Sequence, residues 1–160
     1  MALKQMALEP ATLRLYLVTD PDLCPGSSLL DTVAAAVRGG VTFVQLRAKT
    51  ASSRARVEMA LALKPILQKT RTPFVINDDI EAAIAADVDG VHIGQEDIAP
   101  DLARARLGRG KIIGLSCETP EQVAAADPRL VDYLGLGPVF ATATKTDHKP
   151  AIGMTGLAEM

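Results

Sequence analysis

A chain of 160 residues, 48% of them hydrophobic and 22% charged, is long enough to bury one core and too apolar to stay disordered. A formal net charge of −2 supplies no basic field for nucleic acid, and 3% aromatic residues leave few platforms on which bases would stack. Two cysteines without CxxC spacing argue against a disulfide framework and for a reducing, cytoplasmic compartment, and no stretch is apolar enough to read as a membrane span.

Met1 to Pro10 lacks the apolar centre of a secretory signal and the Arg-rich composition of a transit peptide, so it reads as a short surface lead-in. Leu13 to Thr19 is the first strand candidate. Ser27 or Ser28 caps a helix in which Leu29, Val33 and Val37 recur every four residues, and Gly39-Gly40 stops it. Val41 to Arg47 is the second strand. Ser52 or Ser53 then opens a helix carrying Val57, Ala60, Leu61 and Leu67, in which Pro65 removes one backbone hydrogen bond at a cost of about 3 kcal/mol and predicts a kink near Lys64.

Pro73 to Ile76 is the third strand, followed by Asp79 as the cap of a short Ala-rich helix. Gly90 to Gly94 is the fourth, with Pro100 in the first turn of a helix that ends near Gly108. Lys111 to Ser116 is the fifth, before Thr119-Pro120-Glu121-Gln122, a capping box with the threonine as N-cap, proline at N1 and the glutamine reaching back from N3. Val131 to Gly135 is the sixth, and a last helix starts at Met154 to Met160.

Strands that alternate with helices over short connections predict an α/β domain, residues 1–160, with a parallel sheet covered by helices. A doubly wound open sheet and a (β/α)₈ barrel both satisfy that pattern. Length favours the open sheet, because a complete barrel needs about 200 residues. The polar strand ends favour the barrel, which collects residues from nearly every strand on one rim.

Those strand ends carry the chemistry. Gln45-Leu46-Arg47-Ala48-Lys49, Asn77-Asp78, Gln95-Glu96-Asp97 and Thr142-Ala143-Thr144-Lys145 each close a separate apolar run. Alternation puts Gln45, Arg47 and Lys49 on the face of Phe43, and Val44, Leu46 and Ala48 on the other. Cations turned toward a sheet interior need an anion, either a bound phosphate or a carboxylate such as Asp78. Asp78 and Asp97 follow neighbouring strands and repel each other; a hard cation such as Mg²⁺, which takes one or two carboxylates and fills its shell with water and phosphate oxygens, would relieve that repulsion. The alternative is that Asp78 or Asp79 caps a helix and Asp97 serves its loop. Gly135-Leu136-Gly137-Pro138 reads as a turn that lets backbone approach a ligand, and Ser116, Thr142, Thr144 and Lys145 offer hydroxyls and a charge to a phosphate. His92 reads as a hydrogen-bonded structural histidine and Cys117 as a small buried hydrophobe. No nucleotide loop, GxSxG or HExxH motif occurs.

Together these segments resemble the thiamine-phosphate synthase family, from about Leu15 to Gly153. The resemblance rests on Leu15-Tyr16-Leu17-Val18-Thr19-Asp20, the QLRAK segment from Gln45, Ile76-Asn77-Asp78, Gly90-Val91-His92-Ile93-Gly94-Gln95-Glu96-Asp97, and Gly135-Leu136-Gly137-Pro138-Val139-Phe140 leading into Thr144-Lys145. It implies a TIM-barrel-type fold with about six of eight βα units present. It also implies condensation of 4-amino-2-methyl-5-(diphosphooxymethyl)pyrimidine with a thiazole phosphate, giving thiamine phosphate and pyrophosphate by a Mg²⁺-assisted dissociative route. By the same resemblance Gln45, Arg47, Lys49, Asn77, Ser116 and Lys145 hold the pyrimidine diphosphate, with Arg47, Ser116 and Lys145 catalytic. Asp78 and Asp97 bind the metal, and Thr142 and Thr144 lie at the thiazole phosphate.

The chain departs from the family pattern at Ala48, Asp79, Cys117 and Ala141, none of them an implied ligand. The absence of the last two units implies exposed sheet edges and a homo-oligomer through them. It also leaves room for a non-catalytic diphosphate-binding relative. A thiazole tautomerase-like isomerase, which needs no metal, is disfavoured by the complete diphosphate set.

Overall fold

The structure is a computed structural model and describes residues 8–24, 28–141 and 150–160. Six strands form one parallel sheet: β1 (Tyr16–Thr19), β2 (Phe43–Leu46), β3 (Phe74–Asn77), β4 (Gly90–Ile93), β5 (Ile112–Cys117) and β6 (Tyr133–Leu136). They lie side by side in chain order, each paired with the next. A doubly wound sheet reverses its order at a switch point, so this sequence of neighbours belongs to a barrel-type sheet. Curvature confirms it. In a flat sheet β1 and β6 would stand about 24 Å apart, five spacings of about 4.8 Å, yet the hydroxyls of Tyr16 and Tyr133 are 2.6 Å from each other.

Helices alternate with the strands: α1 (Leu29–Arg38), α2 (Ser53–Thr70), α3 (Ile80–Ala85), α4 (Pro100–Leu107), α5 (Pro120–Ala125) and α6 (Gly153–Glu159). Their starts follow local chemistry. Ser28, Ser52, Asp79 and Thr119 each accept a hydrogen bond from a backbone N–H of the first turn, supplying an orphan donor with a partner. Pro100 occupies the first turn of α4, where its missing N–H costs nothing.

Not every local expectation holds. The capping box at Thr119 is displaced: the Gln122 side chain accepts from the N–H of Glu118, one residue before the cap, at 2.6 Å. The second helix runs through Pro65 to Thr70, as the expectation of a kink rather than a stop allows; Pro65 lies on the exposed side, where water can take up the carbonyl it leaves unpaired. The first strand starts at Tyr16 rather than Leu13, since Pro10–Leu13 forms a 3₁₀ turn. The segment before it is more than a surface lead-in, because Leu8, with Leu13 of the turn, packs against Phe43, Val75 and Tyr133 inside the curled sheet.

Alternation divides the core in two. Val44, Leu46, Ile76, Val91, Ile93, Ile113 and Leu115 face the helices and meet Val33, Ala60, Leu63 and Leu67 in one buried cluster. Phe43, Val75 and Tyr133, with Tyr16 and Ile112, fill the concave side. Burying each large apolar side chain contributes about 1.5–3 kcal/mol, so the helix-facing cluster carries most of the fold and the concave side is left to polar work.

Candidate active site

The carboxyl ends of β2 to β5 open on one rim. β2 buries Gln45 and brings Arg47 to its end, with Lys49 in the loop beyond. Asn77 ends β3, and Asp78 follows with φ 62°, a left-handed turn that aspartate tolerates better than most residues. That turn leaves Asp78 at the rim and makes Asp79 the cap of α3. After β4 the loop folds back, and the N–H of Gly94 donates to Oδ2 of Asp97 at 2.7 Å.

Asp78 and Asp97 come together as the sequence predicts. Partial desolvation, then the hydrogen bond and negative charge of Asp97, push the Asp78 carboxyl up to about 6, while Lys49 and Asn77 pull it down. Both residues still reach solvent, so screening tempers the repulsion without removing it. Two oxygen-donor groups of like charge, within hydrogen-bond reach of each other, are what a hard divalent cation neutralises. Among the described residues no cluster of three His, Cys, Asp or Glu side chains forms. The two carboxylates of Asp78 and Asp97 are a donor set that fits a hard ion completing its shell with water and ligand oxygens.

The cations are held in place. Nη1 of Arg47 meets Oδ2 of Asp20, just after β1, at 3.2 Å, with the arginine side chain 13% exposed. Its partner is thus Asp20 rather than Asp78, because the register pairs Thr19 with Leu46 and brings the two following residues together. Arg56 of α2 braces the next loop: it donates to the carbonyls of Ala48 and Lys49 at 3.0 and 3.2 Å and to Asp79 at 2.9 Å. The loop carrying Lys49 is thereby tied to the loop carrying Asp78.

Inside the rim lies a cavity of about 410 Å³ lined by Tyr16, Gln45, Arg47, Asn77, His92 and Ser116, among others. A smaller one of about 250 Å³, lined by Lys49, Arg56, Asn77 and Asp78, adjoins it at Asn77. Gln45 donates to the Tyr16 hydroxyl at 2.8 Å, and the two ring nitrogens of His92 meet Tyr133 and Ser116, each at 2.9 Å. Gln95 donates to the Ser116 carbonyl at 2.6 Å. Cys117 is fully buried, and burial pushes its thiol up, so it packs as the expected small hydrophobe. A larger cavity of about 620 Å³ opens at the opposite end, among Lys64, Arg71, Asp87 and Lys111, away from the converging groups.

Gln45, Arg47, Lys49, Asn77, Asp78, Asp97 and Ser116 therefore share one rim. Thr142, Thr144 and Lys145 lie outside the described residues. Sequence reasoning missed Tyr16, Asp20, Arg56 and Tyr133 as site residues. For Asp20 the signal was present, an acid directly after an apolar strand, as at Asp78.

The family model described as thiamine monophosphate synthase matches residues 15–160. A curated thiamine-phosphate synthase from Xanthobacter autotrophicus is 54% identical, with 91% of this chain and 69% of the relative covered. One from Syntrophomonas wolfei is 47% identical, over 91% of this chain and 70% of the relative. The solved thiamine phosphate pyrophosphorylase from Pyrococcus furiosus matches with a TM-score of 0.79 at 33% identity, covering 92% of this chain and 68% of that one.

Proposed function

The chain belongs to the thiamine monophosphate synthase family, and we propose that it joins 4-amino-2-methyl-5-(diphosphooxymethyl)pyrimidine to a thiazole phosphate, releasing pyrophosphate. The bond from the pyrimidine methylene carbon to the diphosphate oxygen breaks first, and its electron pair leaves with the diphosphate. The aminopyrimidine stabilises the cation left behind, and the thiazole nitrogen supplies the pair for the new carbon–nitrogen bond.

This route asks the protein for fixed positive charge and hydrogen-bond donors around a departing anion, and for little proton transfer. Arg47 and Lys49 face the charge that grows on the leaving group, and Lys145 is assigned to it by the family resemblance. Asn77 and Ser116 donate hydrogen bonds to it, and Gln45 sits below the pyrimidine end of the cavity. Thr142 and Thr144 are assigned to the thiazole phosphate. Asp78 and Asp97 would hold Mg²⁺, whose charge neutralises the diphosphate. Salt-bridging to Asp20 holds the Arg47 side chain in place before substrate arrives, so less freedom is lost on binding.

The observation that carries this reading is the Asp78–Asp97 pair beside Lys49, two carboxylates that repel in the absence of a cation. Incubating the purified chain with both substrates and Mg²⁺ should give thiamine phosphate and pyrophosphate in equal amounts. Folded protein that yields neither would refute it.

Two further features belong to the proposal. Free Cys24 and Cys117 accord with a reducing cytoplasm, and no helix among the described residues is long and apolar enough to cross a membrane. β1 and β6 are the outer strands of the described sheet, and a second copy would add along them; light scattering across protein concentration reads that association.

A further inference from the structure

Five side chains from five strands form a continuous chain of hydrogen bonds across the concave side of the sheet. Nε2 of Gln45 donates to the Tyr16 hydroxyl at 2.8 Å, and that hydroxyl is 2.6 Å from the Tyr133 hydroxyl. Tyr133 is 2.9 Å from Nδ1 of His92, and Nε2 of His92 is 2.9 Å from Oγ of Ser116. The arrangement is built around, not incidental. A Cβ at Gly114 would overlap the Tyr133 ring and crowd Nδ1 of His92, and one at Gly135 would sit 3.2 Å from His92 Cε1. Two strands thus carry glycine where the ring pair needs the room.

Donor counting gives the chain a direction. The amide nitrogen of Gln45 has only protons to offer, so Tyr16 accepts there and gives its own proton to Tyr133. Tyr133 then gives its proton to Nδ1 of His92. Burial pushes Tyr16 up to about 12 and, with the adjoining Tyr16 hydroxyl, holds Tyr133 far above the phenol range, so both remain protonated donors. With Nδ1 an acceptor, the neutral imidazole carries its proton on Nε2 and donates to Ser116. The opposite direction would leave the Tyr16 proton facing N–H groups.

We infer that Tyr16, Tyr133 and His92 are positioning residues, a one-way donor chain from Gln45 that occupies the Ser116 oxygen and turns its hydroxyl proton into the cavity toward an anionic oxygen. What that proton meets rests on the diphosphate reading above; the direction of the chain does not. All five residues line the cavity of about 410 Å³, and Ser116 is the member whose hydroxyl the chain aims at the diphosphate.

Nitrogen-15 NMR of histidine-labelled protein tests the direction without substrate, with His148→Gln used to assign the His92 signals. The wild-type ring should be the Nε2–H tautomer, and Tyr133→Phe should give a mixture of tautomers. In the synthase assay Tyr133→Phe should lower kcat/KM about 10-fold, the scale of one hydrogen bond. In a Ser116→Ala background the same change should cost less than about 2-fold, because the chain then has no hydroxyl to aim. Tyr16→Phe breaks the chain one link earlier and gives the same pattern if Tyr133→Phe fails to fold. An Nδ1–H tautomer in the wild type, or equal losses with and without Ser116, overturns the inference. A chain without synthase activity but with the Nε2–H tautomer and its loss in Tyr133→Phe would overturn the diphosphate reading and leave the donor chain standing.

Discussion

The two rims of this sheet use charge in opposite ways. At the amino ends of the strands every acid in view has a partner. Asp132 accepts from Arg104 at 2.7 Å and from the N–H of Ile113 at 2.8 Å, with both charged side chains 8% exposed. Arg104 also donates to the carbonyls of Gly108, Lys111 and Leu130. Asp89 accepts from the N–H of Phe74, and Asp87 bridges Lys64 and Lys111. At the carboxyl ends Asp20 and Asp79 are paired with Arg47 and Arg56, but Asp78 and Asp97 face each other. One rim closes the strands; the other holds a like-charge pair that Lys49 and Asn77 offset only in part, the division of labour expected of a barrel-type fold.

Substitutions can break that contrast from either side. The largest effect should come from Arg104→Met, which strands the buried Asp132 carboxylate. Urea denaturation should show a loss of about 3–5 kcal/mol, with turnover per folded molecule unchanged. A loss below about 1 kcal/mol would mean that the amino rim is not what closes the strands.

Asp97→Asn should do the reverse. Turnover should fall about 10²–10³-fold, as when one group that stabilises developing charge is removed, while the denaturation midpoint stays level or rises, since Asp78 no longer faces a second carboxylate. A protein that loses stability and activity together would assign the pair to the scaffold.

The smallest effect is on pH. Asp78 titrates near 6 in the folded chain against about 4 when unfolded, so the folded state holds its proton more tightly. Without metal, its contribution to stability is complete below about pH 4 and is lost as pH rises through about 6. Solvent at the rim limits the change to the order of 1 kcal/mol. Thermal melting of wild type against Asp78→Asn across this window should isolate it, and no difference between the two would remove the like-charge argument.

Much of this was legible in the sequence because it is local. Alternation along β2 separated Gln45 and Arg47 from Val44 and Leu46, and the serine pairs at 27–28 and 52–53, with Asp79 and Thr119, announced the helices that Ser28, Ser52, Asp79 and Thr119 cap. The acids after β3 and β4 signalled a shared rim because parallel neighbours end together. What depended on curvature was hidden. Tyr16 and Tyr133 stand 117 positions apart at opposite edges of the sheet, and only its closing brings their hydroxyls together. The need for glycine at 114 likewise depends on the Tyr133 ring, which the closed sheet places beside it. Arg56 gave no local signal, because its partners lie on two loops that only tertiary packing brings near.

The central claim is that Asp78 and Asp97 bind a leaving diphosphate through a divalent ion. Calorimetric titration of pyrophosphate into the protein with excess Mg²⁺ tests it most directly, comparing wild type with Asp97→Asn. Saturable binding that requires Mg²⁺ and weakens at least about 10-fold in the variant is the predicted result, a difference of about 1.4 kcal/mol. Equal affinity in the two proteins, or binding indifferent to Mg²⁺, would contradict it.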